Sequence, residues 1–341
     1  MKAMVLDAIG PLADRPRPLD LRELPIPTPG DDELLIRVAA CGVCHTELDE
    51  IEGRTPPSHL PRVLGHQIVG RVERLGRGVN GIAIGARVGA AWIAHACGHC
   101  RFCLRGDENL CPEFRATGRD ADGGYAEFVV VRAAFTYPIP PVFSDVDAAP
   151  LLCAGAIGGR SLDLANLRDG EPLGLTGFGA SAHLVLQLAR RRFPHSPVFV
   201  FARDEADRRF ALELGSAWAG GTLDTPPAPL SAIIDTTPAW TPVVAALRHL
   251  DRGGRLVINA IRKEARDASA LLALDYGRDL WLEHEIKSVA NVTRADVRGV
   301  LRLAAEIPLR PATTTFPLER ANDALHALAT GGRRGAIVLK I

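Results

Sequence analysis

Four of the chain's seven cysteines stand within one run of fifteen residues. The run CGHCRFCLRGDENLC places thiols at Cys97, Cys100, Cys103 and Cys111. Four thiolates at these spacings can surround one tetrahedral Zn²⁺ and leave it no open position, as in structural zinc sites. The alternatives are four free thiols and an iron–sulfur cluster, although the spacing departs from the ferredoxin runs. His99 lies inside the loop and, with four thiols present, is interpreted as a bystander.

Three further motifs carry cysteine or histidine in short segments. CGVCHTELDEIEG spans residues 41–53, LGHQIVG spans 64–70 and PLLCAG spans 150–155. A cysteine, a histidine and a further cysteine far apart in sequence are ligands that a catalytic zinc uses, with a fourth position left for water or substrate. No motif is decisive alone, since a lone histidine in such a loop is more often a satisfied core or surface residue. The prediction depends on their occurrence together.

A glycine-rich turn after a predicted strand has the pattern of a dinucleotide-binding loop. In LGLTGFGASAH, residues 173–183, Gly177 and Gly179 are followed by Ala182 at the third position of G-x-G-x-x-G/A. Gly177 permits the tight turn, Gly179 lets the backbone approach a pyrophosphate, and the helix N-terminus then binds the anion. Alone this motif is weak, because a glycine-rich turn without a ligand matches it equally well. The surrounding βαβ pattern strengthens it.

The end of the next strand bears on the choice between NAD and NADP. An acid there bonds the adenosine ribose, whereas an arginine accommodates a 2′-phosphate. In FVFARDEADRR the expected acid position is Ala202, followed by Arg203 and Asp204. The sequence therefore predicts an NAD(P) cofactor with a weak preference for NADP through Arg203. The alternative is that Arg203 points to solvent and Asp204 reaches the ribose.

The elements that would position these motifs change along the chain. Residues 1–150 are typical of short strands separated by Gly and Pro turns, with long irregular loops that carry the cysteines and histidines. Beyond them strands alternate with amphipathic helices, which favours a doubly wound parallel sheet. Near residue 291 the pattern changes again, to two helical stretches and a closing strand. We expect an α/β protein with a mostly-β part and a doubly wound parallel sheet.

Composition excludes several classes of protein. A length of 341 residues predicts two domains, and 47% hydrophobic with 23% charged residues is close to the globular average, which excludes wholesale disorder. Forty basic residues balance forty acidic ones, so the basic surplus of a nucleic-acid or anionic-membrane binder is missing. No signal-peptide core and no spanning apolar stretch is recognised in the sequence. We expect a soluble, cytoplasmic protein with reduced thiols.

Taken in order, these motifs resemble the zinc-containing medium-chain alcohol dehydrogenases over essentially the whole chain. The resemblance implies that the mostly-β domain is GroES-like and comprises residues 1–153 and 291–341, with a Rossmann domain of residues 154–290 between its two segments. It implies a catalytic zinc held by Cys44, His66 and Cys153, and a structural zinc in the four-cysteine loop, hence two Zn²⁺ per chain. Cys41 stands where the family varies and is interpreted as a spare structural thiol.

The same resemblance implies roles for residues around the catalytic zinc. His45 would approach the cofactor pyrophosphate. Thr46 would hydrogen-bond the alcohol oxygen and relay its proton outward, since a threonine is too weak a base to keep it. Glu47 stands where the family often has Asp and would hydrogen-bond the histidine ligand. Trp92 falls where the family places a bulky residue of the substrate pocket.

Two positions depart from the family pattern. Gln67 replaces a glutamate that usually follows the Gly-His pair, which removes a negative charge near the metal. Asp49 stands where the relay often ends in a histidine, and an aspartate titrates far lower. We therefore expect the proton to leave through Asp49 or the cofactor ribose.

The expected activity is interconversion of alcohols with aldehydes or ketones by hydride transfer to or from NAD(P). One alternative is an NADPH-dependent aldehyde reductase of the cinnamyl or aromatic type. A more remote alternative is a non-enzymatic nucleotide or metal sensor, and a zinc-free quinone reductase conflicts with the full ligand set. Expected partners are a small-molecule alcohol or aldehyde and further copies of the chain, as a homodimer or homotetramer, without nucleic acid or membrane.

Overall fold

The chain divides into two compact units. The structure is a computed structural model that describes residues 1–307, 309–331 and 334–341. Unit 1 consists of Met1–Ala156, Asn291–Glu306 and Arg310–Ile341, and unit 2 consists of Ile157–Ala290 and Ile307–Leu309. The chain therefore leaves unit 1, forms unit 2 and returns.

The strands and helices of the described residues are numbered in chain order. The strands are β1 Lys2–Leu6, β2 Leu19–Glu23, β3 Glu33–Val43, β4 Arg62–Val63, β5 Gln67–Leu75, β6 Arg87–Ala90, β7 Ile93–His95, β8 Arg115–Ala116, β9 Phe128–Arg132, β10 Thr136–Pro138, β11 Leu173–Thr176, β12 Val198–Phe201, β13 Trp218–Gly220, β14 Leu230–Asp235, β15 Leu250–Ile258, β16 Glu285–Ser288, β17 Thr313–Pro317 and β18 Ala336–Lys340. The α-helices are α1 His45–Ile51, α2 Arg101–Leu104, α3 Asp145–Ala148, α4 Ala154–Ala165, α5 Ala182–Arg192, α6 Glu205–Glu213, α7 Thr241–Leu247, α8 Tyr276–Asp279, α9 Arg294–Glu306 and α10 Ala321–Thr330. Short 3₁₀ segments are Glu108–Leu110, Ala133–Phe135, Ala149–Leu152, Ala265–Ala273 and Leu318–Arg320.

Unit 1 is built around a seven-stranded sheet in the order β10-β6-β5-β3-β18-β17, with β9 also paired to β3. The long strand β3 pairs antiparallel with β5, β9 and β18. Its apolar residues, with those of β1, β9 and α10, form one buried cluster. The strand that leads directly into Cys44 is therefore fixed by three neighbours.

Unit 2 contains a six-stranded sheet in the order β13-β12-β11-β14-β15-β16, with every pair parallel. The central strands β11 and β12 are buried along their whole length, as expected where helices cover both faces. The order reverses beside β11, which is the Rossmann arrangement. The predicted fold class, a mostly-β part with a doubly wound parallel sheet, is confirmed.

Several elements differ from the sequence-based expectation. The segment after Cys44 is the helix α1 rather than an irregular loop, and the four-cysteine run contains α2 and the turn Glu108–Leu110. These elements are too short to show a hydrophobic period. The edge strand β16 is exposed at all four residues, so no apolar pattern marks it. In the described part of the chain, no helix is long and apolar enough to cross a membrane.

A buried ionic network joins the carboxyl ends of β11 and β14. Asp235 is fully buried and accepts hydrogen bonds from the hydroxyls of Thr176 at 2.5 Å and Thr237 at 2.8 Å. The ammonium group of Lys263 pairs with Asp235 and also donates to the carbonyl oxygens of Thr237 at 2.7 Å and Ala239 at 3.0 Å. The network fixes the loop that follows β14 against the end of β11.

Replacing Asp235 by asparagine is expected to destabilise unit 2. Asp235→Asn keeps the shape but leaves the Lys263 ammonium buried without a counter-charge, which costs about 3–5 kcal/mol. Urea unfolding followed by fluorescence should show a lower midpoint. The control is Asp251→Asn, an exposed carboxylate that bonds only the next backbone N–H among the described contacts. Equal midpoints for the two variants would show that the ionic network contributes nothing.

Candidate metal centres and nucleotide loop

The four-cysteine loop forms a compact thiol cluster. The sulfurs of Cys97, Cys100, Cys103 and Cys111 all lie within 4.8 Å of one another. Backbone N–H groups donate to them, from Cys97 to Cys111 Sγ and from Cys100 to Cys97 Sγ, both at 3.3 Å. Such donors favour thiolates, the form that binds metal. The donor set and its closeness fit one tetrahedral Zn²⁺.

Three residues predicted or found near the four cysteines have contacts of their own. His99 is exposed, and its Nδ1 bonds the carbonyl oxygen of Cys97 at 3.0 Å. Glu108, in the same loop, accepts hydrogen bonds from the Arg294 guanidinium, including one at 2.9 Å from Nε. The loop is thereby tied to the start of α9. Cys41 lies elsewhere, fully buried, and its thiol belongs to the core of unit 1.

The second candidate centre brings together three residues from separate motifs. Ligand atoms of Cys44, His66 and Cys153 all lie within 4.8 Å of one another. Cys44 caps α1 at the end of β3, His66 immediately precedes β5, and Cys153 follows the 3₁₀ segment Ala149–Leu152. Strands β3 and β5 are paired with Gly42 opposite Gln67, so the sheet register brings the first two ligands together.

Glu47 organises this centre. Its Oε1 lies 2.6 Å from His66 Nδ1, and its Oε2 accepts the backbone N–H of Cys44 at 2.7 Å. Burial alone would lower the pKa of His66, but Glu47 and Cys44 raise it well above the usual value. The Glu47 carboxylate favours a proton on Nδ1, and His66 Nε2 is buried with no hydrogen-bond partner among the described residues. That nitrogen is the one available to a metal.

The two thiols of the centre affect each other's pKa in opposite directions. Hydrogen bonding between them lowers the pKa of Cys44 well below its usual value and raises that of Cys153 well above it. Two cysteine sulfurs beside a buried imidazole nitrogen are suited to a borderline-soft cation such as Zn²⁺.

Three predicted residues follow Cys44 on α1. His45 is exposed, as a group that meets a ligand would be. The hydroxyl of Thr46 lies 3.6 Å from Cys44 Sγ, beside the candidate ligands. Asp49 is buried, and its Oδ1 accepts a 2.6 Å hydrogen bond from Arg54 Nε. Asp49 therefore has a structural partner, while its place in a proton relay stays a prediction.

Trp92 lies against the metal centre. Its ring meets the His66 ring edge to face at 4.9 Å between centroids, and Trp92 is 5% exposed. The Arg119 guanidinium carbon lies 5.6 Å from the indole centroid. Gln67 is also buried, with its amide 2.6–2.8 Å from where a Cβ on Gly42 would stand. A Cβ at position 42 would therefore require the Gln67 amide to move.

The glycine motif forms a turn between β11 and α5 in unit 2. Gly177 has φ +79°, and a Cβ there would lie 2.8 Å from Thr236 Oγ1. Nothing among the described residues lies within 4 Å of a Cβ built on Gly179, so its backbone faces open space. Ala182 is buried and begins α5. A strand, an open glycine turn and a helix N-terminus fit a bound pyrophosphate.

The residues expected to select the cofactor follow β12. Ala202 is buried, and its carbonyl oxygen accepts a hydrogen bond from Arg208 at 2.9 Å. The Arg203 side chain is 85% exposed and lies 3.6 Å from the Asp204 carboxylate. No acid occupies position 202, and the Arg203 guanidinium is accessible to an anion.

Two residues near the metal centre are not predicted from the sequence. Arg119 contacts Trp92 and pairs with Asp120 at 2.7 Å, and Glu50 is fully buried on α1. No motif marks Arg119. Every residue of α1 after His45 is buried, so the acidic sequence of this helix gives no hydrophobic period from which the burial of Glu50 could be predicted.

Comparisons with known proteins agree with this architecture. Residues 30–141 match the alcohol dehydrogenase GroES-like domain. The chain is 44% identical over 338 residues to the "Probable alcohol dehydrogenase AdhA" of Mycobacterium tuberculosis (strain CDC 1551 / Oshkosh), covering 96% of this chain and 95% of that relative.

Two solved structures are also similar. A thermostable alcohol dehydrogenase of Pyrobaculum aerophilum with cobalt and zinc bound has 25% identity and a TM-score of 0.88, covering 100% of this chain and 99% of the other. A protein of Sinorhizobium meliloti 1021 solved with NADP bound has 26% identity and a TM-score of 0.86, with the same coverage. Fold and site together define a medium-chain dehydrogenase/reductase. The chain belongs to the alcohol dehydrogenase family, which confirms the resemblance seen in its motifs.

The imidazole of His183, beside the glycine turn, predicts a specific acid sensitivity. Burial lowers its pKa to about 4, and its Nδ1 lies 3.1 Å from the carbonyl oxygen of Gly179. Since the folded pKa lies below the unfolded value of about 6.5, protonation favours unfolding as the pH falls from 6.5 towards 4. The loss of stability should reach about 3 kcal/mol.

Urea midpoints of the wild type and His183→Gln, compared at pH 7 and pH 4.5, would measure this contribution. Acid-induced metal loss affects both proteins, so the difference between their pH slopes isolates His183. Parallel slopes would contradict the prediction.

Proposed function

We propose that the chain is a zinc-dependent alcohol dehydrogenase that interconverts alcohols with aldehydes or ketones, with NAD(P) as hydride carrier. The observation that carries the proposal is the convergence of Cys44, His66 and Cys153, with His66 oriented by Glu47. Three ligands with an open fourth position are typical of catalytic zinc, and four thiolates of structural zinc.

Zinc and the nicotinamide cofactor would supply part of the chemistry, and residues of the chain would supply the rest. Zinc held by Cys44, His66 and Cys153 would supply Lewis acidity, and the nicotinamide would accept or donate hydride. Thr46, whose hydroxyl lies beside the Cys44 thiol, exchanges the substrate hydroxyl proton and passes it outward, with Asp49 or the cofactor ribose as the exit. Trp92, packed on His66, limits the space for the substrate.

The domain assignment is part of this proposal. We assign catalysis to a domain of residues 1–153 and 291–341 and nucleotide binding to residues 154–290. Support comes from the two units, whose boundaries fall near these positions, and from the glycine turn within the parallel sheet of unit 2.

Metal analysis combined with turnover tests the function. Purified protein should contain about two zinc ions per chain and oxidise members of a panel of alcohols or reduce the matching aldehydes. Cys153→Ser should lower the content to about one and abolish turnover, because one ligand of the catalytic site is lost. Cys41→Ala, which removes a buried thiol outside both clusters, is the control and should keep both ions.

A wild-type content of about one zinc ion without turnover would instead favour the sensor alternative. A panel in which only aldehydes react, and only with NADPH, would favour the reductase.

We further propose that the cofactor is NADP, bound through Arg203. Ala202 offers no carboxylate to the ribose hydroxyls, while the exposed Arg203 guanidinium can pair with a 2′-phosphate.

Removing this guanidinium is expected to weaken the use of NADP selectively. Arg203→Ala should lower kcat/KM for NADP by about 10-fold or more and leave kcat/KM for NAD nearly unchanged, because the charge-assisted contact is lost. Arg191→Ala, an exposed arginine on α5, is the matched control. A wild-type kcat/KM that favours NAD by tenfold or more would overturn the NADP preference.

A further inference from the structure

Glu50 is a buried carboxylate that the proposed chemistry does not use. It lies on α1, and its exposed fraction is 0%. Neither of its side-chain oxygens has a hydrogen-bond partner among the residues that the structure describes. An ionised carboxylate without a partner is costly inside a protein. Such a group is retained either as a neutral acid or with a counter-charge nearby.

The groups that act on Glu50 belong to the metal centre. Burial raises its pKa well above the usual value, Glu47 and Cys44 raise it further, and His66 and Arg119 oppose them. Arg119 is the one arginine among these groups. Its guanidinium donates a hydrogen bond to Asp120 at 2.7 Å and lies over the Trp92 ring. The counter-charge that Glu50 lacks is therefore one that a metal would bring.

The positive charge that a divalent cation would bring is offset by its ligands, two thiolates and one neutral imidazole. Glu50 would therefore act by direct attraction to the cation and not as a charge that completes neutrality. Glu47 is already engaged by His66 and by the Cys44 amide. Gln67, which follows His66 and is buried, is neutral and adds no charge. Glu50 lies three residues after Glu47 on α1, which is the spacing of neighbours on a helix face, and it is as fully buried as Glu47.

We propose that Glu50 is a positioning residue for the metal at Cys44, His66 and Cys153: its negative charge increases the affinity of that site for zinc without making it a ligand. The inference rests on the proposed function, because it requires a metal at this centre. Attraction between charges in the protein interior exceeds the same attraction in water, so one buried charge changes affinity measurably.

The test is chelator competition on the zinc-loaded full-length protein. Glu50→Gln keeps the shape and removes the charge, so the Kd for the zinc ion that Cys153→Ser protein lacks should rise by about 10–100-fold. The four-cysteine cluster should keep its zinc in the same titration. Glu50→Asp keeps the charge on a shorter side chain and should lie between the wild type and Glu50→Gln.

Moving the negative charge to a second position distinguishes an electrostatic role of Glu50 from a packing role. Gln67→Glu, made in the Glu50→Gln protein, places a carboxylate of nearly equal size beside His66 and should restore most of the lost affinity. Glu52→Gln is the matched control, since the Glu52 carboxylate accepts the Leu12 amide at 3.1 Å and pairs with Arg54. It should leave the zinc Kd unchanged.

The possible outcomes distinguish failure of this inference from failure of the proposed function. Wild-type protein that holds a single zinc defeats the proposed function. Wild-type protein with two zinc ions and an unchanged Kd in Glu50→Gln defeats the inference alone. Equal loss of both zinc ions with a lower urea midpoint, without rescue by Gln67→Glu, would overturn it by giving Glu50 a folding role.

Discussion

The Glu47 carboxylate is the constraint on which the metal centre of unit 1 depends. One oxygen accepts the amide of Cys44 and so begins α1, while the other lies 2.6 Å from His66 Nδ1. The single buried side chain of Glu47 therefore fixes both the backbone at Cys44 and the orientation of the His66 imidazole. Because Glu47 and His66 are 0% and 1% exposed, water competes little for this hydrogen bond. The third candidate ligand, Cys153, then needs only to lie close to the other two.

The sheet of unit 1 brings together Cys44 and His66, the two residues that the Glu47 carboxylate contacts. Gly42 on β3 lies opposite Gln67 on β5, so the end of one strand and the start of its neighbour carry Cys44 and His66 to the same place. Glycine at position 42 leaves space for the buried amide of Gln67, since a Cβ there would lie 2.6 Å from the amide carbon. The strand register brings the two candidate ligands together before any metal contributes.

The sequence predicts the features that depend on local spacing or periodicity. The four-cysteine run, the turn at Gly177 and the alternating strands and helices of unit 2 all carry such a signal. Glu50 and the Lys263–Asp235 pair do not, because a buried charge is recognisable only once its neighbours are known. The exposed strand β16 is missed because its pairing with β15 is made by backbone atoms and its side chains follow no apolar alternation. The role of Glu47 is intermediate, since the resemblance implies it and the geometry places it beside His66.

The return of the chain to unit 1 has a consequence for biosynthesis. Strand β18 pairs with the end of β3, where Ile337 lies opposite Val43, one residue before Cys44. The ribosome makes β18 only after all the strands of the unit 2 sheet, so that sheet can form while β3 still has an open edge beside the future ligands. An unpaired edge is a site of misassociation, and thiols next to it are open to oxidation. Between synthesis of β3 and arrival of β18, this edge and the thiol beside it therefore lack the strand that covers the edge in the folded chain.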